Sequence, residues 1–214
     1  MKLSWDNITV QQFQDIYRLS LNTSLDEMDK LERVICILYN KTEKEVEELS
    51  MQEFKECAKE CSFVLTDKIP GKPVKYIKVG ARKYGIQYAV HKLRHRQYVE
   101  ILHFSEKPIE NMHYIMASLV QPIKFGIWKK NEAEMHETIS LDMLNAKVVD
   151  VYHTCVFFCK LYVNLIKNIQ GSLVVEMMSK GMTKTQAETV LNASATVMDG
   201  FIQHTNSQAA FELP

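Results

Sequence analysis

The sequence predicts a mainly α-helical protein, a multi-helix bundle carrying one small β-hairpin insertion. Three observations lead there. Glycine and proline are scarce, seven and five in 214 residues, which disfavours a turn-rich β architecture. A Ser or Thr followed three residues later by Glu or Gln heads an apolar run at Thr9/Gln12, Ser24/Glu27, Thr42/Glu45 and Ser50/Glu53. Each such pair can satisfy two orphan amides of a helix start reciprocally. A clean strand period occurs where Tyr84, Ile86, Tyr88 and Val90 alternate with Gly85, Gln87 and Ala89.

The apolar stripes agree with the four helix starts. Val10, Phe13, Ile16 and Tyr17 form one, Leu31, Val34, Ile35 and Leu38 another, and Phe54, Cys57, Ala58 and Cys61 a third. Pro70 and Pro73 with Gly71 then break the helical series as a linker or exposed turn. Residues 75–79 read as a first strand, residues 80–83 as a hairpin loop, and residues 84–90 as the second strand. Helices resume near Lys92, with a face of Tyr98, Ile101, Leu102 and Ser105. Pro108 suits the first turn of the next helix, whose stripe includes Met112, Ile115, Met116 and Leu119. Residues 121–137 read as an irregular polar excursion. Ser140 is placed to cap a long helical region reaching Asn168, broken near Val149 and closed by Gly171. Thr183/Gln186 supplies a fifth box for a terminal helix reaching Gln203. The chain accordingly divides into an N-terminal helical module (1–66), a hairpin followed by helices (67–120), and a C-terminal helical region opening on a long loop (121–214).

Charge is the most informative feature. The chain balances 26 Lys/Arg against 26 Asp/Glu, yet residues 68–99 hold nine Lys/Arg and two histidines without one carboxylate. A neutral protein that sorts its charge this sharply presents a face to a partner of opposite sign. The candidate partner-binding cations are Lys75, Lys78, Arg82, Lys83, Arg94 and Arg96. The interleaved tyrosines, Tyr76, Tyr84, Tyr88 and Tyr98, fit hairpin and helix core faces, so an acidic protein surface is favoured over nucleic acid. The Glu-rich N-terminal helices of a neighbouring subunit would supply such a surface.

No enzymatic pattern accompanies this face. A phosphate-binding glycine loop, a nucleophile elbow and a zinc-protease helix motif are all lacking from the sequence. Glu132, Glu134, His136 and Glu137 cluster but read as polar loop. Cys57/Cys61 and Cys155/Cys159 share a helical spacing that could serve a metal, yet each pair continues an apolar stripe and reads as core. The expectation is no catalytic site, no metal and no cofactor. Five cysteines set in helical patterns, with no signal-peptide pattern at the start, indicate reduced thiols in a cytoplasm. The most apolar window, residues 148–169, is interrupted by Asp150, His153, Lys160 and Lys167, so it reads as a buried helix and no membrane span is expected.

Several motifs resemble those of tailed-phage proteins. ITVQQF from Ile8, the helix carrying Leu31 and Leu38, KTEKEVEEL from Lys41, and Glu53-Phe54 resemble the N-terminal part of tail-assembly-chaperone-like proteins. The strand at residues 84–90, RQYVE from Arg96, and Phe104 continue the likeness. ENMHYIMASLV from Glu110 and FFCK from Phe157 resemble structural-module proteins of Bacteroides-infecting phages, the crAss-like phages among them. The resemblance implies a non-enzymatic role in building a virion neck or tail. The protein would be made in the host bacterial cytoplasm and would act beside other phage structural proteins, as a homo-oligomer or ring subunit. A soluble chaperone absent from the mature virion is the alternative, and a nucleic-acid-binding module the second. The long C-terminal half departs from the compact chaperone pattern.

Overall fold

The computed structural model describes residues 3–130 and 132–161, together with Thr183, Thr185 and Gln186. The fold is mainly helical with a small four-stranded antiparallel sheet. Helices α1 (Val10–Leu21), α2 (Glu27–Tyr39), α3 (Glu43–Glu47), α4 (Met51–Cys61) and α5 (Phe63–Thr66) form the N-terminal part. Strands β1 (Tyr76–Val79) and β2 (Arg82–Ile86) follow, then α6 (His95–Phe104) and α7 (Met112–Leu119), strands β3 (Val120–Lys124) and β4 (Ile127–Trp128), and α8 (His136–Leu144). A further helix, α9, covers residues 148–161.

Local sequence sets most helix starts. Thr9, Thr42 and Ser50 each accept from the N3 amide while Gln12, Glu45 and Glu53 reach back, so three of the four N-terminal boxes close. The Thr183/Gln186 pair makes the same reciprocal bonds. Caps of this kind stabilise a helix by about 1 kcal/mol each. The fourth box does not form. Asp26, not Ser24, caps α2 by accepting from Asp29 N at 2.8 Å. The Ser24 hydroxyl donates to Asn22 Oδ1 at 2.7 Å, held in the turn that leaves α1.

Tertiary contacts correct several boundaries. Ser140 lies inside α8 and donates to Glu137 O rather than capping a helix. The chain breaks at residues 145–147, two residues before Val149, because Lys147 pairs with Thr9 as an isolated bridge. That bridge, with Val10 N to Ala146 O and Val148 N to Ile8 O at 2.9 Å each, ties the chain start to the α8–α9 junction. Pro108 lies in turns ahead of α7, whose first residue is Met112. The expected strand at residues 84–90 ends at Ile86, where Gln87 N bonds Leu119 O and the chain leaves the sheet. The helix ends expected at Asn168, Gly171 and Gln203 lie outside the described residues.

One hydrophobic core runs from Trp5 to Cys159. Val10, Phe13 and Ile16 of α1, Ile35 of α2, Ile77 of β1, Ile101 of α6, Ile115 and Met116 of α7, and Phe158 of α9 are all buried in it. Buried Gln14 locks α1 to the chain entering α7, donating to Ile109 O at 2.8 Å and Glu110 O at 2.9 Å, with His113 Nδ1 at 3.0 Å. Burial depresses His113 to about 4, so it sits neutral in this contact. The Pro-containing linker has no regular structure, but it is held against α9 through His153 Nε2 to Ile69 O and Val74 N to Thr154 Oγ1.

Candidate functional site

The sheet gathers two segments of one electrostatic character. Residues 68–99 and residues 111–131 are both free of carboxylates, and the strand order β1-β2-β3-β4 places them side by side. The β3–β4 hairpin was unexpected, since its segment reads as irregular. Pro122 argues against a strand because it cannot donate to a ladder, and β4 is only two residues long. Pairing with β2, Lys83 opposite Ile123 and Ile86 opposite Val120, makes the strand.

Alternation sorts the sheet into two faces. Ile77, Tyr84, Ile86 and Val120 point inward and are buried. Tyr76, Lys78, Lys83, Gly85, Gln121, Ile123 and Trp128 share the outer face by register. Lys78 and Lys83 lie directly opposite one another there, both exposed. Lys83 Nζ sits 4.2 Å from the centre of the Tyr76 ring, a cation–π contact, and Tyr76 meets Trp128 edge to face at 6.3 Å. The Trp128 indole lies across Gly85, where a Cβ would come within 2.6 Å of the ring. Glycine at this position is what lets the indole lie flat against the sheet.

The six predicted cations divide into two groups. Arg82 is a strand residue rather than a loop residue, because the turn is only Gly80 and Ala81. From the inner face it donates to Asp142 Oδ2 of α8 at 2.8 Å, and the Tyr84 hydroxyl donates to the same oxygen. Burial and this carboxylate raise Tyr84 to about 12, so its hydroxyl stays protonated. Arg94 pairs with Glu132 at 3.2 Å and Arg96 with Glu100 at 2.7 Å. These three arginines are therefore engaged within the chain. Lys75, Lys78 and Lys83 are exposed, and among the described residues they make no ion pair. The structure adds Lys124, Lys129 and Lys130, also exposed and unpaired among the described residues, beside exposed Phe125, Ile127 and Trp128. Their sequence signal was a Phe-Gly pair between two apolar pairs and three lysines.

A polar cluster beneath α7 has the composition of a hydrolytic site but not its arrangement. The Ser118 hydroxyl donates to Glu100 Oε2 at 2.9 Å and lies 3.0 Å from His136 Nε2. Glu100 Oε2 is 3.7 Å from that same nitrogen. A serine-activating imidazole needs its acid on the opposite ring nitrogen, and Ser118 is wholly buried. His136, expected in a loop, is the first residue of α8 and stacks with Tyr114 and Phe104. Burial lowers its pKa, so the cluster is a neutral-histidine clamp among α6, α7 and α8.

Cys61, Cys155 and Cys159 are buried in the core and Cys57 is packed against it. Among the described residues no group of three or more His, Cys, Asp or Glu is placed to hold a metal ion. No described helix is long and apolar enough to cross a membrane.

Fold and surface together define a mainly α-helical protein with a cationic, aromatic-bearing sheet. No protein-family model matches the chain, and no curated protein or solved structure matches it.

Proposed function

We propose that this chain is a non-enzymatic structural or assembly protein of a tailed phage, a subunit of a multi-protein neck or tail complex, whose sheet docks on an acidic neighbour. The observation that carries this reading is the pairing of two carboxylate-free segments in one sheet, with Lys78 and Lys83 on its outer face and Lys124 exposed at its edge. Unpaired surface charge of one sign steers and orients association. The phage context comes from the sequence resemblance. The protein is made in the host cytoplasm and retained in the virion; an assembly chaperone that leaves before completion is the alternative.

Lys78→Glu with Lys83→Glu is the informative variant, since Arg82→Glu would set a second carboxylate against Asp142 and disturb the fold itself. Co-assembly with the partner should fall while helicity is unchanged; unaltered assembly sinks the docking role. Mass spectrometry of purified virions separates a retained subunit from a chaperone.

A nucleic-acid role has one specific observation in its favour. Tyr76 and Trp128 beside Lys78 and Lys83 have the composition of a single-strand stacking platform. It requires binding that weakens steeply with salt, and no binding at low salt eliminates it.

A further inference from the structure

Phe125 occupies the first position of the two-residue β3–β4 turn at φ 52, and Gly126 follows at φ 77. Positive φ at both central residues is the type I′ pattern, in which asparagine then glycine is the favoured pair. A bulky side chain there strains the backbone. Among the described residues nothing offsets that strain, because Phe125 is 101% exposed. Ile127 beside it is 61% exposed, and Lys124, Lys129 and Lys130 flank the tip. Hairpin stability therefore does not account for the residue.

The helical end of the molecule carries a feature of matching chemistry. A groove of about 450 Å³ opens between α1, α2, α4 and α5, lined by Leu19, Leu31, Val34, Ala58 and Leu65. That is roughly three times the ~150 Å³ cavity that accommodates a benzene ring. Glu27 and Lys30 both stand in its wall, 3.9 Å apart, and Asp26 caps α2 beside them. Residues 26–60 hold eleven carboxylates against six Lys/Arg, while residues 111–131 hold three lysines and no carboxylate. Among the described residues Phe125 stays in solvent, so the tip is not seated in the groove of its own copy.

We propose that the Phe125–Ile127 tip of one copy inserts into the α1–α2–α4 groove of the next, with Lys124, Lys129 and Lys130 facing Asp26 and Glu27 at the start of α2. This rests on the assembly reading and deepens it by naming the neighbour and both contact surfaces. A second copy is favoured over lipid or nucleic acid because one chain carries both an apolar groove and, over residues 26–60, the excess of carboxylates that complements the lysine-flanked tip. The contact is heterologous, tip to groove, and so builds a ring if its rotation closes and a filament if it does not.

Sedimentation velocity of the full chain over a concentration series tests this. Wild type should associate with rising concentration. Phe125→Asn should weaken association roughly tenfold or more, as loss of a central aromatic anchor does, while its melting temperature stays or rises because the turn is relieved. Leu65→Asp, at a position 60% exposed and therefore tolerant of a polar residue, should do the same from the groove side. Mixing the two variants is decisive, because each retains one intact surface: a one-to-one pair and nothing larger should form. A wild type monomeric at every concentration overturns the proposal, as does undiminished association of Phe125→Asn. A mixture that stays monomeric overturns it too. So does Phe125-dependent binding of a monomeric chain to phosphatidylserine-containing vesicles or to oligo-deoxythymidine. If self-association fails while virions still contain the protein, only this inference falls; if virions lack the protein but self-association persists, the retained-subunit reading falls alone.

Discussion

The two hairpins of the sheet solve the same geometric problem with different residues. The β1–β2 turn places Gly80 at φ 55 and leaves Ala81 at negative φ, so the left-handed position costs nothing. Its inner face buries Ile77 and Tyr84, and Asp142 of α8 anchors both Tyr84 and Arg82. The β3–β4 turn instead gives the left-handed position to Phe125 and leaves Ile127 and Trp128 exposed. One hairpin is built into the core; the other enters it only at Val120 and projects its tip away. Anchoring to the helices and surface exposure thus fall mainly to different hairpins of one continuous sheet.

The same substitution in each hairpin breaks or sharpens this contrast most directly. Ile77→Ala empties a fully buried site and should cost about 2–5 kcal/mol, whereas Ile127→Ala should stay within about 0.5 kcal/mol. Urea unfolding of the two variants measures both, and similar losses would erase the distinction. Of the two hairpins, the anchored one should be the more sensitive to alkaline pH. Tyr84 has its folded pKa raised from 10 to about 12, so the stability it lends is complete below pH 10 and is lost as pH rises towards 12. Amide exchange should find β1–β2 opening across that window, and Tyr84→Phe should remove its pH dependence there. Phe125→Asn should stabilise the protein by about 1 kcal/mol through relief of turn strain, readable as a raised melting temperature; a lowered one would mean that the ring supports the fold. The smallest effect belongs to the outer face. Lys78→Glu replaces a like-charge cross-strand pair with Lys83 by an opposite-charge one and should gain about 0.2–1 kcal/mol, a gain that salt should diminish.

What could be read from the sequence follows the range of the interaction. Thr9, Thr42 and Ser50 cap as their spacing predicts, because a capping box is complete within four residues. Ser24 fails for an equally local reason: Asp26 is a competing cap two residues on, and the Asn22 side chain takes the serine hydroxyl. Met112 and Met116 are buried as the α7 stripe predicts. The second hairpin was illegible because a two-residue β4 and Pro122 leave no periodic signal. The candidate site was half legible. Charge sorting singled out Lys75, Lys78 and Lys83, but their separation from Arg82, Arg94 and Arg96 depends on Asp142, Glu132 and Glu100, and the first two stand 60 and 38 residues away.

By itself the sequence determined the helical class, most helix starts and the sorting of charge, since composition, capping and periodicity act within a few residues. Only the tertiary structure decided which cations stay unpaired among the described residues, that two carboxylate-free segments become neighbours in one sheet, and that Phe125 stands exposed at a turn while an apolar groove opens between α1, α2, α4 and α5. Those are properties of residues distant in sequence, brought together by strand pairing and helix packing, and no local pattern encodes them.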